Sequence, residues 1–127
     1  MVGYKFYCLK LNLFSGQEIT VGKKGREYFP PGFYFYVGRA QKGIRSRVAR
    51  HLSSHKKKRW HIDYLSSRAF PVSLRLYPEN MGSECQIAEI LAAEGGEVIM
   101  PGFGSSDCNC PSHLYYFPGS HPLPGKE

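Results

Sequence analysis

The run Gly32-Phe33-Tyr34-Phe35-Tyr36-Val37-Gly38-Arg39, followed by Arg47, His51 and the more distant Glu84, holds residue types that phosphate chemistry uses. Alternate positions of an extended strand share a face, so Tyr34 and Tyr36 lie together, opposite Phe33, Phe35 and Val37. Two readings are open for them: core aromatics with a hydroxyl at the edge, or one wall of a site. Gly38 lets a backbone or ligand approach closely where the strand ends, and Arg39 sits just beyond it. Arg47 and His51 are spaced i, i+4 and share one helical face, where a guanidinium fork offers phosphate two directed donors. Glu84 precedes Ile87, Ala88 and Leu91 at i+3, i+4 and i+7, which puts its carboxylate on the buried stripe of a helix. An inward carboxylate needs a partner such as a cation, and one carboxylate with waters and substrate oxygens suits Mg²⁺. The helix dipole also favours an acid in the first turn, an alternative that needs no metal.

A second cluster has softer donors. Cys108, Cys110 and His113 fall in one short loop, and Cys85 adjoins Glu84. A structural Zn²⁺ held by Cys85, Cys108, Cys110 and His113 is chemically reasonable, although Cys-x-Cys is tighter than the common finger spacing. Reduced thiols that buttress the site wall are the leading alternative. A disulfide from Cys85 to Cys108 or Cys110 is disfavoured by a reducing cytoplasm. Cys8, in the first strand, reads as a buried thiol. His61 and Asp63 are either second-layer partners of the site or members of a packed helical turn.

The elements that position these groups follow from periodicity and breakers. Lys5 to Leu11 alternates as a strand, and Glu18 to Val21 starts a second after the Ser15-Gly16-Gln17 turn. Gly22-Lys23-Lys24-Gly25 is a basic turn, and Pro30-Pro31-Gly32 breaks the chain before Phe33 to Val37. That third strand is apolar on both faces, as the centre of a covered sheet should be. Ile44 to Leu52 has helical spacing, Trp60 to Leu65 makes a short helical turn, and Val72 to Tyr77 alternates as another strand. Ser83-Glu84-Cys85-Gln86 is a capping box that opens a helix through Ile87, Ile90 and Leu91, and Gly95-Gly96 ends it. Val98 to Met100 and Leu114 to Phe117 are short apolar segments around a glycine-rich loop. The expected fold is a small single-domain α/β sandwich over residues 1–117, with a central three-stranded, mostly antiparallel sheet flanked by helices. Residues 118–127 form a Pro/Gly-rich, loosely ordered tail.

At 127 residues with 42% hydrophobic and 14% aromatic content the chain can bury a modest core, which excludes disorder. No apolar run is long enough to cross a bilayer and no signal-peptide core is present, so a cytoplasmic protein without a membrane partner is expected. The net charge of +7 is unevenly spread. Arg39, Lys42, Arg45, Arg47, Arg50, Lys56, Lys57, Lys58 and Arg59 cluster in a stretch with no acid between Glu27 and Asp63. One-signed clustering beside aromatics points to a polyanion, with a basic surface kept for solubility as the alternative. Arg45 and Arg50 point outward as backbone contacts, Lys56 to Arg59 form a surface loop, and Trp60 offers a stacking surface for a base.

These residues resemble the GIY-YIG nuclease superfamily, whose two short motifs lie on neighbouring strands ahead of a helix arginine and a metal-binding glutamate. Tyr36-Val37-Gly38 looks like the second motif; Lys5-Phe6-Tyr7 looks like the first, with Lys5 where the family has glycine. Arg47 matches the arginine, His51 the residue one turn later, Glu84 the glutamate, and Arg39 a lysine of several members. The likeness extends to a compact prokaryotic branch catalogued as domain of unknown function 123. Its blocks match Phe33 to Ala40, Trp60 to Leu65, Glu84-Cys85 and Gly102 to Leu114.

The resemblance implies a GIY-YIG-like fold and phosphodiester hydrolysis with one Mg²⁺ or Mn²⁺ on Glu84. Tyr36, helped by Tyr7 or His51, would orient or deprotonate the attacking water, and Arg47 and Arg39 would supply positive charge. The expected activity is that of a structure-selective endonuclease in DNA repair or processing, acting on DNA rather than RNA, with a repair protein as candidate partner. The competing expectations are a zinc-stabilised binding module that keeps the basic groove without cutting, and an accessory domain bound to RNA or protein.

Overall fold

The computed structural model describes residues 4–39, 61–78, 83–104 and 110–124. Its centre is a four-stranded antiparallel sheet with the order β5-β1-β4-β6, formed by β1 (Tyr4–Leu13), β4 (Gly32–Arg39), β5 (Phe70–Pro78) and β6 (Leu114–Phe117). A separate hairpin joins β2 (Gln17–Thr20) to β3 (Arg26–Phe29) through a 3₁₀ turn at Gly22–Lys24. Two helices complete the described residues, α1 (His61–Ser66) and α2 (Glu84–Ala93).

The inner strands are those with apolar residues on both faces. Tyr7, Leu9, Leu11 and Leu13 of β1, with Tyr34 and Tyr36 of β4, face one core. Ile62 and Leu65 of α1, Ile19, Val21 and Phe29 around the hairpin, and Met100 and Phe103 close over it. Phe6, Cys8, Phe35 and Val37 point the other way, where Ile87, Ala88 and Leu91 of α2 cover them. Two covers on two faces explain why neither strand shows the polar alternation of a half-solvated sheet. The outer strand β5 is exposed from Phe70 to Ser73, and Pro71 there removes a donor from the sheet edge.

The capping box forms as the sequence predicts. The Ser83 amide donates to Gln86 Oε1 (2.7 Å), and the Gln86 amide donates to Ser83 Oγ (3.3 Å). Ile90 is 37% exposed, so the buried stripe runs through Ile87, Ala88 and Leu91 only.

Two expectations change. The sheet has four strands rather than three, because Leu114–Phe117 is long enough to pair with Phe33–Tyr36 of β4. Ahead of it in the chain, Glu97 makes an isolated bridge to Tyr116. Residues 118–124, expected as a loose tail, pack back on the α2 side of the sheet. There the Lys10 ammonium, 8% exposed above the Phe33 and Phe35 rings, donates to the His121 carbonyl (2.8 Å) and Ser120 Oγ (3.2 Å). His121 stacks on Phe117 and holds Glu94 (2.7 Å), and the Pro124 carbonyl accepts from the Tyr77 hydroxyl and from Arg75 (3.2 Å). A buried ammonium must be solvated by protein oxygen, so a lysine far away in sequence fixes a tail whose own composition suggests freedom. The helix expected over Ile44 to Leu52 lies outside the described residues.

Ending the chain at Phe117 should therefore lower unfolding stability by about 3 kcal/mol, from the lost hydrogen bonds and the buried Lys10 left unpartnered. Urea denaturation reads this directly, and an unchanged midpoint would mean that the tail is only loosely attached.

Candidate active site

Register builds the first part of the site. Antiparallel pairing sets Tyr7 of β1 opposite Gly38 of β4 and Leu9 opposite Tyr36. Tyr7 lies across Gly38 so closely that a Cβ there would overlap its Cζ and hydroxyl and stand 2.7 Å from Cε2. The space that the sequence leaves open for a ligand is thus filled by the chain's own tyrosine, which is 1% exposed. Tyr36 stands beside it, with ring centroids 6.3 Å apart.

A glycine turn closes over Tyr36. Gly102 and Gly104 both have positive φ (78° and 69°), a region that side chains disfavour, and the turn is fixed by backbone bonds from Gly102 to Pro111 and from His113 to Phe103. A Cβ on Gly104 would meet Tyr36 Cε1 at 2.9 Å and His113 Cβ at 3.4 Å. The Gly104 amide donates to His61 Nδ1 (2.9 Å), which requires that nitrogen to be unprotonated. Burial holds the His61 pKa below its ordinary value, and the Lys24 ammonium lowers it further. Lys24 reaches this turn from the 3₁₀ segment, its Nζ lying 2.9 Å from where a Gly102 Cβ would be.

The acid lies on the other side of the sheet. Glu84 opens α2, which packs with Phe35 and Val37, whereas Tyr7 and Tyr36 belong to the opposite core. Its carboxylate reaches the end of β4, with Oε1 3.9 Å from Arg39 Nε and Oε2 3.6 Å from His113 Nδ1. The geometry allows an ion pair with His113, but burial holds the His113 pKa down despite an opposing hydrogen bond with the Gly104 backbone. At neutral pH the imidazole is uncharged, and the contact is polar rather than ionic. Among the described residues the two faces meet at this end of the sheet, where Gly104 lies against both Tyr36 and His113.

Beside Glu84, Cys85 and Cys110 are joined in a disulfide, with Cα atoms 5.8 Å apart. This corrects the expectation of reduced thiols: α2 and the loop before β6 bring these two cysteines within bonding reach across 25 residues of chain. His113 Nε2 lies 2.9 Å from Cys110 Sγ and 3.9 Å from Cys85 Sγ. Cys8 is fully buried and its thiol pKa is pushed far up by desolvation, which leaves it an inert core residue.

Of the residues the sequence singles out, Tyr7, Tyr36, Arg39, Glu84, Cys85, Cys110 and His113 come to one end of the sheet. Arg47, His51, Lys42, Arg45, Arg50, Lys56, Lys57, Lys58, Arg59, Trp60 and Cys108 lie outside the described residues. Lys24 and Gly104 are the participants that sequence reasoning misses. Lys24 looks like one more cation of a basic turn, and only the Gly-Phe-Gly spacing hints at a turn that must accept close neighbours. Asp63 is wholly buried in the first turn of α1, among core residues rather than at the rim.

The family model described as "Domain of unknown function DUF123" matches residues 6–124, nearly the whole chain. No curated protein and no solved structure matches.

Gly38→Ala should cost about 3 kcal/mol by forcing Tyr7 out of its seat, and adding Tyr7→Ala should recover part of that loss. Additive losses in urea melts would contradict the contact. His61 and His113 are both held below the ordinary 6.5. The unfolded chain therefore binds protons first, so their contribution is complete above about pH 6.5 and is lost as pH falls toward the folded values. Melting temperature should drop between about pH 7 and pH 5, and His61→Gln should flatten that drop.

Proposed function

The chain belongs to the family described as domain of unknown function DUF123, and from that premise we propose that it hydrolyses phosphodiester bonds in nucleic acid at the end of the sheet where Tyr36, Arg39 and Glu84 converge. The observation that carries this reading is that the strands bearing Lys5-Phe6-Tyr7 and Tyr36-Val37-Gly38 pair antiparallel with Tyr7 opposite Gly38, and Tyr7 occupies the space left by that glycine. Two tyrosine motifs on neighbouring strands, with a carboxylate at the same strand end, support placing the fold in the GIY-YIG superfamily.

Each residue has a role that its surroundings permit. Both tyrosines are buried, but Tyr36 at 8% exposure is nearer the surface than Tyr7 at 1%, so Tyr36 is the one placed to hold a water and Tyr7 serves to seat the β4 end. The Tyr36 hydroxyl would orient or deprotonate the attacking water, with positive charge supplied by Arg39 and a bound metal. Arg39 is more than half exposed and offers its guanidinium to a phosphate. Glu84 fits a Mg²⁺ or Mn²⁺ ion: it is a hard oxygen donor, 22% exposed, at a site open enough for water and substrate ligands. Such an ion supplies Lewis-acid stabilisation of charge on the phosphate oxygens. DNA is favoured over RNA as substrate, with structure-selective cutting and a repair protein as candidate partner.

A second reading has its own support. Tyr36 and Glu84 approach the strand end from opposite faces, and Lys5 stands where the superfamily has glycine. Both features suit a module that grips nucleic acid through its basic residues without cutting it.

The deciding experiment incubates the protein with nicked, flapped, branched and plain DNA, and with RNA, in Mg²⁺ or Mn²⁺. Cleavage is expected, with Tyr36→Phe and Glu84→Gln each lowering it at least ~100-fold at unchanged melting temperature. Salt-sensitive binding without cleavage by the wild type would leave the binding module standing.

A further inference from the structure

We propose that Cys85, Cys110 and His113 form a Zn²⁺ site in the reduced protein, and that the Cys85–Cys110 disulfide is the metal-free alternative state of the same residues. The three ligand atoms lie within 4.8 Å of one another. Two thiolates and an imidazole are the donors that Zn²⁺ takes in preference to the hard ions suited to Glu84.

Distances support the assignment. Tetrahedral Zn²⁺ with bonds of about 2.3 Å to sulfur and about 2.0 Å to nitrogen separates sulfur from nitrogen by roughly 3.5 Å. His113 Nε2 stands 2.9 Å from one sulfur and 3.9 Å from the other, values that straddle this separation. The two sulfurs must open to about 3.8 Å, and side-chain rotation can supply this from cysteines whose Cα atoms are 5.8 Å apart.

The outer layer is also present. A metal-bound histidine commonly directs its second nitrogen to a carboxylate or carbonyl, which fixes the ring. Here His113 Nδ1 is buried and faces Glu84 Oε2 at 3.6 Å, a separation that a small side-chain adjustment would close to a hydrogen bond. The His113 backbone is held as well, its amide bonded to Phe103 and its carbonyl to Val37. Little remains to be ordered when the ion arrives. Among the described residues three ligands are present, and Cys108, the fourth that the sequence suggests, lies outside them.

The exchange balances. A dithiol reductant breaks the Cys85–Cys110 bond and delivers two electrons and two protons; it leaves as a disulfide, and both cysteines become thiols. Zn²⁺ then binds the two sulfurs as thiolates and the neutral imidazole, releasing the two thiol protons to solvent. A disulfide oxidant runs the sequence backwards: it takes up the two electrons and leaves as a dithiol, the Cys85–Cys110 bond re-forms, and the ion is ejected. Either state ties the first turn of α2, and with it Glu84, to the loop before β6.

The test reads metal rather than nuclease activity, so it stands or falls separately from the proposed function. The full chain, reduced with a phosphine and freed of metal, is titrated with Zn²⁺ against a chromophoric chelator, and in parallel with Co²⁺. One Zn²⁺ per chain is expected, with thiolate-to-Co²⁺ charge-transfer bands and the intense visible bands of a four-coordinate ion. Cys110→Ser and His113→Ala should weaken binding at least ~100-fold and Glu84→Gln at least ~10-fold, whereas Cys8→Ala should leave it unchanged. Closing the disulfide with an oxidant should release the ion. Absence of uptake by the reduced wild type, Co²⁺ spectra without thiolate bands, or undiminished binding in His113→Ala would each overturn the proposal. The wild-type Co²⁺ spectrum decides alone if a cysteine variant does not fold.

Discussion

The close approach of Tyr7 to Gly38 is the constraint on which the rest of this end of the molecule depends. A side chain at each position of a central strand normally keeps rings of the adjacent strand off its backbone; here one position has none, and the Tyr7 ring lies across it. That contact fixes the rotation of Tyr7, limits where Tyr36 can stand, and brings the end of β4 under the Gly102–Gly104 turn. The turn repeats the device at Gly104, where absence of a side chain admits the Tyr36 ring on one side and His113 on the other. Two glycines thus let aromatic and imidazole groups crowd together without displacing the backbone.

From this packing follows the division of labour at the site. The tyrosines share a face with His61, Phe103 and Lys24; Arg39, Glu84, His113 and the two cysteines share the other. A sheet is a barrier to side-chain contact except at its ends, so chemistry that needs both sets has one place to occur. The Cys85–Cys110 link acts on the same place from outside, because it holds the N-terminus of α2 and keeps the Glu84 carboxylate near Arg39.

Much of the framework was legible in the sequence because it rests on local pattern. β1 and β4 announce themselves by apolar residues on both faces, and α2 by a capping box whose two hydrogen bonds form as the residue types require. What was not legible depends on partners distant in the chain. Nothing near Gly38 says that Tyr7 will fill its space, since that is a matter of cross-strand register. The tail has a composition of freedom, yet Lys10 and Tyr77 anchor it through carbonyls more than 40 positions away. Glu84 could be read onto a buried stripe, but not onto a face opposite the tyrosines. Lys24 carried no signal that set it apart from Lys23.

The central claim is that one ligand meets both faces at the β4 end, and an NMR titration tests it most directly. Isotope-labelled protein receives a non-hydrolysable phosphorothioate DNA strand, and resonances of Tyr36, Arg39, Gly104 and Cys85 are followed together. All four should shift with a single binding curve, from the Tyr36 ring on one face to Cys85 on the other. Shifts confined to one face, or two curves with different midpoints, would contradict it.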